Sequence, residues 1–61
     1  MRFEKALSLM RKHIKIRKPY WYEKEYIWIE PKGKAIITEQ GKRYDIDAIE
    51  ILEEDWGKVK E

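Results

Sequence analysis

Sixty-one residues suffice for one domain, spanning 1–61, with one small core, because a chain this short buries only roughly 60 % of the surface it exposes when unfolded. There is no cysteine and His13 is the only histidine, so disulfides and thiolate zinc sites are excluded, a metal would have carboxylates alone, and no cofactor is expected. The net charge of +2 conceals an asymmetry, seven Lys/Arg against Glu4 in residues 1–18 and seven Asp/Glu against Lys58 and Lys60 in residues 44–61, which speaks against a nucleic-acid binder basic along one face.

The two ends can pair with each other, pair head to tail with a second copy, or stay solvated. Without staples, so small a chain needs dense packing or a partner subunit. Three Trp, four Tyr and one Phe can supply either. The longest apolar runs, such as "YIWI", fall far short of the ~20 residues that cross a bilayer. Nothing resembles a signal peptide, so the expectation is a soluble cytoplasmic protein without a membrane partner.

In chain order, Phe3, Ala6, Leu7 and Met10 fall at i, i+3, i+4 and i+7, which predicts an amphipathic helix over about 3–12. No good N-cap precedes it, and Arg11, Lys12 and His13 place cations at its negative end. "IKIRK" alternates, with Ile14 and Ile16 on one face and Lys15 and Arg17 on the other, as a half-buried strand does. Pro19 ends it and opens an aromatic loop, "PYWYEK". "EYIWIE" is a second strand, with Tyr26 and Trp28 on one face and Ile27 and Ile29 on the other. "PKGK" is a turn, "KAIIT" a third strand, and Gly41 in "EQGK" makes a second hairpin. "RYDI" reads as a short fourth strand. Asp47 and Glu50 have the spacing of a capping box, starting a short helix over about 48–54 with Ile49 and Leu52 inward and Trp56 continuing the apolar line. Gly57 breaks it, and "KVK" forms an edge strand. The fold class is α+β: an N-terminal helix packed on a small, mostly antiparallel sheet, then a short helix and a C-terminal edge strand.

Chemistry is hard to assemble from these residues. Ser8 and Thr38 are the only serine and threonine, no histidine is placed to activate Thr38, and no glycine-rich loop starts a helix. Glu53 and Glu54 are adjacent on a helix and do not face each other. The expectation is a protein that is not an enzyme. Binding is easier to support: "RKPYWYEKEYIW" holds Arg17, Tyr20, Trp21, Tyr22, Lys24, Tyr26 and Trp28 in a dozen residues. Rings stack on bases while Arg and Lys meet phosphates. The same rings can equally form the core or a subunit interface, Trp28 above all.

Two stretches together resemble a known family. The opening "FEKALSLMRKHIKIRKPYW" is similar to the F-x-x-A-L start and later Arg-to-Trp step of the Thoeris anti-defence protein 2-like group. The closing "ILEEDWGKV" is similar to its terminal I-L-x-x-D-W-x-x-V. The matched segments cover about half of the chain; the insertion of longer members is absent, and Pro19-Tyr20 stand where a small polar pair is usual. The resemblance implies a phage or prophage immune-evasion protein in the cytoplasm of the infected or lysogenic host cell. Such a protein binds a cyclic ADP-ribose isomer or cyclic dinucleotide intact, as a homo-oligomer (dimer or tetramer) with pockets where protomers meet. Phe3, Ala6 and Leu7 then read as core. Arg17 would meet phosphate, with Trp21, Tyr22, Tyr26 or Trp28 stacking on base or ribose. Asp55 and Trp56 match the terminal D-W: Trp56 reads as a plug for the last strand, and Asp55 as a turn cap or the acceptor of Arg17, in this copy or the next. The alternatives are a protein-binding inhibitor of a host defence complex, anchored by its aromatic loop, and a small nucleic-acid-binding β module.

Overall fold

The apolar stripe near the start of the chain forms helix α1, Phe3–Met10, in a computed structural model that describes residues 1–60. Arg2 at its N-cap makes no side-chain cap, as the sequence leads one to expect. Ala6 and Met10 are fully buried. The helix closes with a Schellman pair, His13 N–H to Met10 O at 2.9 Å and Ile14 N–H to Leu9 O at 3.1 Å. That geometry puts His13 in the left-handed region, φ 64°, where non-glycine residues are uncommon and His is among the tolerated ones. The role expected of His13 is therefore corrected. It lies beyond the helix, and its Nδ1 meets the Ile29 carbonyl oxygen at 2.8 Å.

Four short strands follow the predicted hairpin logic: β1 Ile16–Arg17, β2 Ile27–Ile29, β3 Ile36–Thr38 and β4 Gly57–Lys58. They form one sheet in the order β3-β2-β1-β4, with every neighbouring pair antiparallel. Opposing Ile16 and Ile27 set the register at the centre, and both are buried against Ala6, Met10 and Trp56. No helix of the described residues is long and apolar enough to cross a membrane.

Two expected elements change. "RYDI" contributes only an isolated bridge, Ile37 to Arg43, so the fourth strand is β4, and Gly57 begins it rather than breaking the chain before it. Helix α2, Ala48–Leu52, has the predicted capping box, with the Asp47 side chain accepting from Glu50 N–H and the Glu50 side chain from Asp47 N–H. Its facing is the reverse of that expected. Ile49 and Leu52 are 73 % and 80 % exposed, because Glu50 is the residue tied to the body. Its carboxylate accepts from the Tyr44 hydroxyl at 2.5 Å, and its carbonyl oxygen accepts from Trp56 Nε1–H at 3.0 Å. At about 100° per residue, fixing Glu50 inward turns Leu52 to the far side.

Trp56 is the largest buried side chain. Its ring lies 5.6 Å from Phe3 and 6.0 Å, edge-on, from Trp21. Its backbone exchanges two hydrogen bonds with Met1, one in each direction. Trp56→Ala is expected to cost about 3–5 kcal/mol, comparable to the roughly 3–9 kcal/mol total that about 0.05–0.15 kcal/mol per residue implies for this length. Circular dichroism with urea titration should find that variant largely unfolded, while Leu52→Ala stays within about 0.5 kcal/mol of the parent.

Candidate functional site

The inward alternation of β1 continues one step past Ile16, to Lys18, which is wholly buried. An ammonium in that position needs counter-charges. Glu53 lies at 3.0 Å and Asp55 closer still, and the Trp56 ring lies 4.3 Å from Nζ. Burial works to lower the Lys18 pKa, but the hydrogen bonds and charges of Asp55 and Glu53 outweigh it and hold the pKa above its ordinary value. The hydrogen bond from Lys18 in turn depresses Asp55. Asp55 therefore receives Lys18 and not Arg17, and it serves the seating of Trp56. Farther out, Arg2 Nε meets Glu54 at 2.7 Å, so the basic and acidic ends of the chain do pair with each other.

Arg17 has a different task. Its guanidinium donates to the carbonyl oxygens of Trp21 and Tyr22, at 2.5 and 3.2 Å, and fastens the aromatic loop to β1. Its buried Nε has no hydrogen-bond partner. Arg17 borders a hollow shared with Glu23, Lys58, Val59 and Lys60, which neither Trp21 nor Tyr26 lines.

The pocket with the ring-rich wall lies at the end of the β2–β3 ladder where Ile27 pairs with Thr38, between the aromatic loop and the turn after β3. Its volume is about 300 Å³. Trp21, Tyr26, Ile27, Thr38 and Tyr44 line it together with Glu25, Glu39, Gln40 and Lys42. Trp21 and Tyr44 meet at 5.8 Å, so the aromatic loop and the turn after β3 close on each other there. Burial, reinforced by the hydrogen bond to Glu50, raises the Tyr44 pKa, and its hydroxyl stays protonated as a donor. Glu25 accepts from Tyr22 N–H and Glu39 from Tyr26 N–H, each through one oxygen.

Of the six residues that the sequence singles out, the structure thus brings two, Trp21 and Tyr26, to this pocket. Trp28 packs edge-on against Tyr26 at 6.3 Å with Lys15 Nζ over both rings, on the sheet face opposite the core, and is half-buried. Tyr22 is 84 % exposed on the loop. Arg17 and Asp55 hold structure. Sequence reasoning missed Tyr44, Lys42 and the two glutamates of the pocket, which lie on turns with no periodicity to mark them. It also missed Lys18, which the Ile14–Ile16 alternation does mark.

Lys18→Met is expected to cost about 1–2 kcal/mol, because the part-exposed acids rehydrate and a methionine fills the space. Glu53→Ala with Asp55→Ala should cost more, since it strands the ammonium in the interior. The pH dependence follows from the two shifts. A depressed Asp55 contributes stability that is present above its unfolded value of about 3.9 and lost as pH falls through its folded value. A raised Lys18 contributes stability that is present below about 10.4 and lost as pH rises through its folded value. Urea midpoints should be flat across neutral pH, and Asp55→Asn should remove its share of the acid limb.

The chain matches no family model, and no curated protein or solved structure matches it significantly.

Proposed function

We propose that this protein is a binding module without catalytic activity that sequesters a cyclic nucleotide-type defence signal, a cyclic ADP-ribose isomer or a cyclic dinucleotide. It would do so for a phage or prophage in the cytoplasm of its host, as a homo-oligomer. The observation that carries the reading is the pocket itself, about 300 Å³ with Trp21, Tyr26 and Tyr44 in its lining. That volume is at the lower end for small-molecule sites and has room for one base with its sugar. Rings stack on a base of any kind. Thr38 and Gln40 offer hydrogen bonds, and Glu25 and Glu39 can accept from an amine or a ribose hydroxyl. Lys42, the pocket's one cation, takes the phosphate role that the sequence assigns to Arg17. The resemblance at both ends of the chain points to the same ligand class.

A second reading, a protein-binding inhibitor of a host defence complex, is favoured by one observation. Tyr20 and Tyr22 are 66 % and 84 % exposed on a loop that Arg17 holds in place. Exposed rings on a pinned loop suit an anchor in a partner's pocket. Capture of a defence complex from host lysate, lost in a Tyr20→Ala, Tyr22→Ala variant, would favour it over the sponge.

Calorimetry against cyclic ADP-ribose isomers and cyclic dinucleotides tests the leading reading. Binding of one of them is expected to weaken by about 10- to 100-fold in Trp21→Ala, the loss of one stacked base. Leu52→Ala, at an exposed position outside the pocket, should leave it unchanged. No heat with any member of the panel, from folded protein, ends the reading.

A further inference from the structure

Helix α2 buries none of its own side chains. The Asp47–Glu50 box and the bonds from Tyr44 and Trp56 to Glu50 hold it, and five residues are too few to be stable by propensity alone. Its apolar side chains Ile49, Ile51 and Leu52 are 73 %, 42 % and 80 % exposed. They stand in a wholly acidic stretch, since between Tyr44 and Gly57 there are six Asp/Glu and no Lys or Arg. Three cations offset part of that charge, Arg2 at Glu54, Lys18 at Glu53 and Asp55, and Arg43 at Asp45, and the rim stays net negative.

A second surface has the opposite character. Ile14 and Val59 line a hollow of about 300 Å³ with His13, Lys15 and Lys58, where Val59 N–H donates to the Lys15 carbonyl oxygen at 3.1 Å. Lys58 is exposed, as are Lys12 and Lys60 close by in the chain. The ammonium of Lys15 sits over the Tyr26 and Trp28 rings. Glu23 enters only the neighbouring hollow. The acidic surface adjoins the first turn of α1 and the basic one follows its last turn, about 12 Å along the axis for eight residues. One copy therefore cannot close them on each other.

We propose that Ile49 and Leu52 of one copy dock into the Ile14–Val59 hollow of a second copy, acidic rim against basic rim. Both sides have an apolar centre, and their rims are opposite in sign, which sets the register of the contact. A patch and a different complementary patch make a head-to-tail contact. The proposal assigns surfaces to the self-association that the functional reading includes; it does not involve the pocket.

Complementation between two variants tests it. Leu52→Asp spoils the α2 face at an exposed position and leaves the hollow intact. Lys58→Glu with Lys60→Glu reverses the basic rim at exposed positions and leaves α2 intact. Native mass spectrometry and sedimentation velocity at low salt should show assembled parent protein and two monomeric variants, each with the parent's circular dichroism. Mixed one to one, the variants should form a heterodimer and nothing larger, because one intact contact remains. A monomeric parent overturns the proposal, as does an assembly that Leu52→Asp leaves unchanged or a mixture that stays monomeric. The nucleotide titration is a separate measurement on the same protein, so ligand binding and this contact can each fail without the other.

Discussion

A single buried ammonium organises this protein. Lys18 stands just past β1, at the next inward position after Ile16, and Glu53 and Asp55 meet it from the far end of the chain, with the Trp56 ring against it. Ion pairs of this kind seldom raise stability above that of a well-packed apolar substitute. They do make wrong arrangements costly, because a misplaced strand leaves a charge in the interior without a partner. Seating β4 one residue off would take Asp55 from Lys18 and Trp56 from Phe3 together. In a chain without disulfides, that penalty specifies the one way in which the two ends close.

The local signals in the sequence translate directly into structure. The i, i+3, i+4, i+7 stripe becomes α1, the alternation of "YIWI" becomes β2 with Tyr26 and Trp28 sharing a face, and Asp47 with Glu50 makes the box that starts α2. What misleads is long-range. Apolar residues at helical spacing ordinarily point to a core, but in α2 the tertiary contacts all fall on Glu50, and they override the pattern. Gly57 looks like a breaker yet pairs with Arg17 in the sheet, because the strand that receives it lies 40 residues earlier. Lys18 was legible in principle, as the third member of Ile14–Ile16–Lys18. Charge alone argued for the surface, and burial became reasonable only once the acids at 53 and 55 were known to be neighbours.

The aromatic residues likewise divide by geometry. One string of sequence yields three groups: Trp21 near Trp56 and Tyr44 on the core side, Tyr26 with Trp28 and Lys15 near the opposite face, and Tyr20 and Tyr22 on the loop. A linear reading sees one cluster of rings beside one arginine. The pleat separates them, and Arg17 is drawn to the carbonyls of the loop that it must hold. The candidate site thus keeps two of its four rings, Trp21 and Tyr26, gains Tyr44, and exchanges its cation, with Lys42 from a turn standing where the linear order suggested Arg17.

The margins of the sheet have a consequence of their own. The segment after Thr38 folds back along β3, so that Thr38 N–H donates to the Lys42 carbonyl oxygen and Tyr44 N–H to that of Ile36. At the opposite margin, β4 is two residues long and lies among lysines. The apolar Ile36–Ile37 run therefore presents no open ladder on which foreign strands could template. The protein can thus reach high concentration without its sheet margins seeding precipitation.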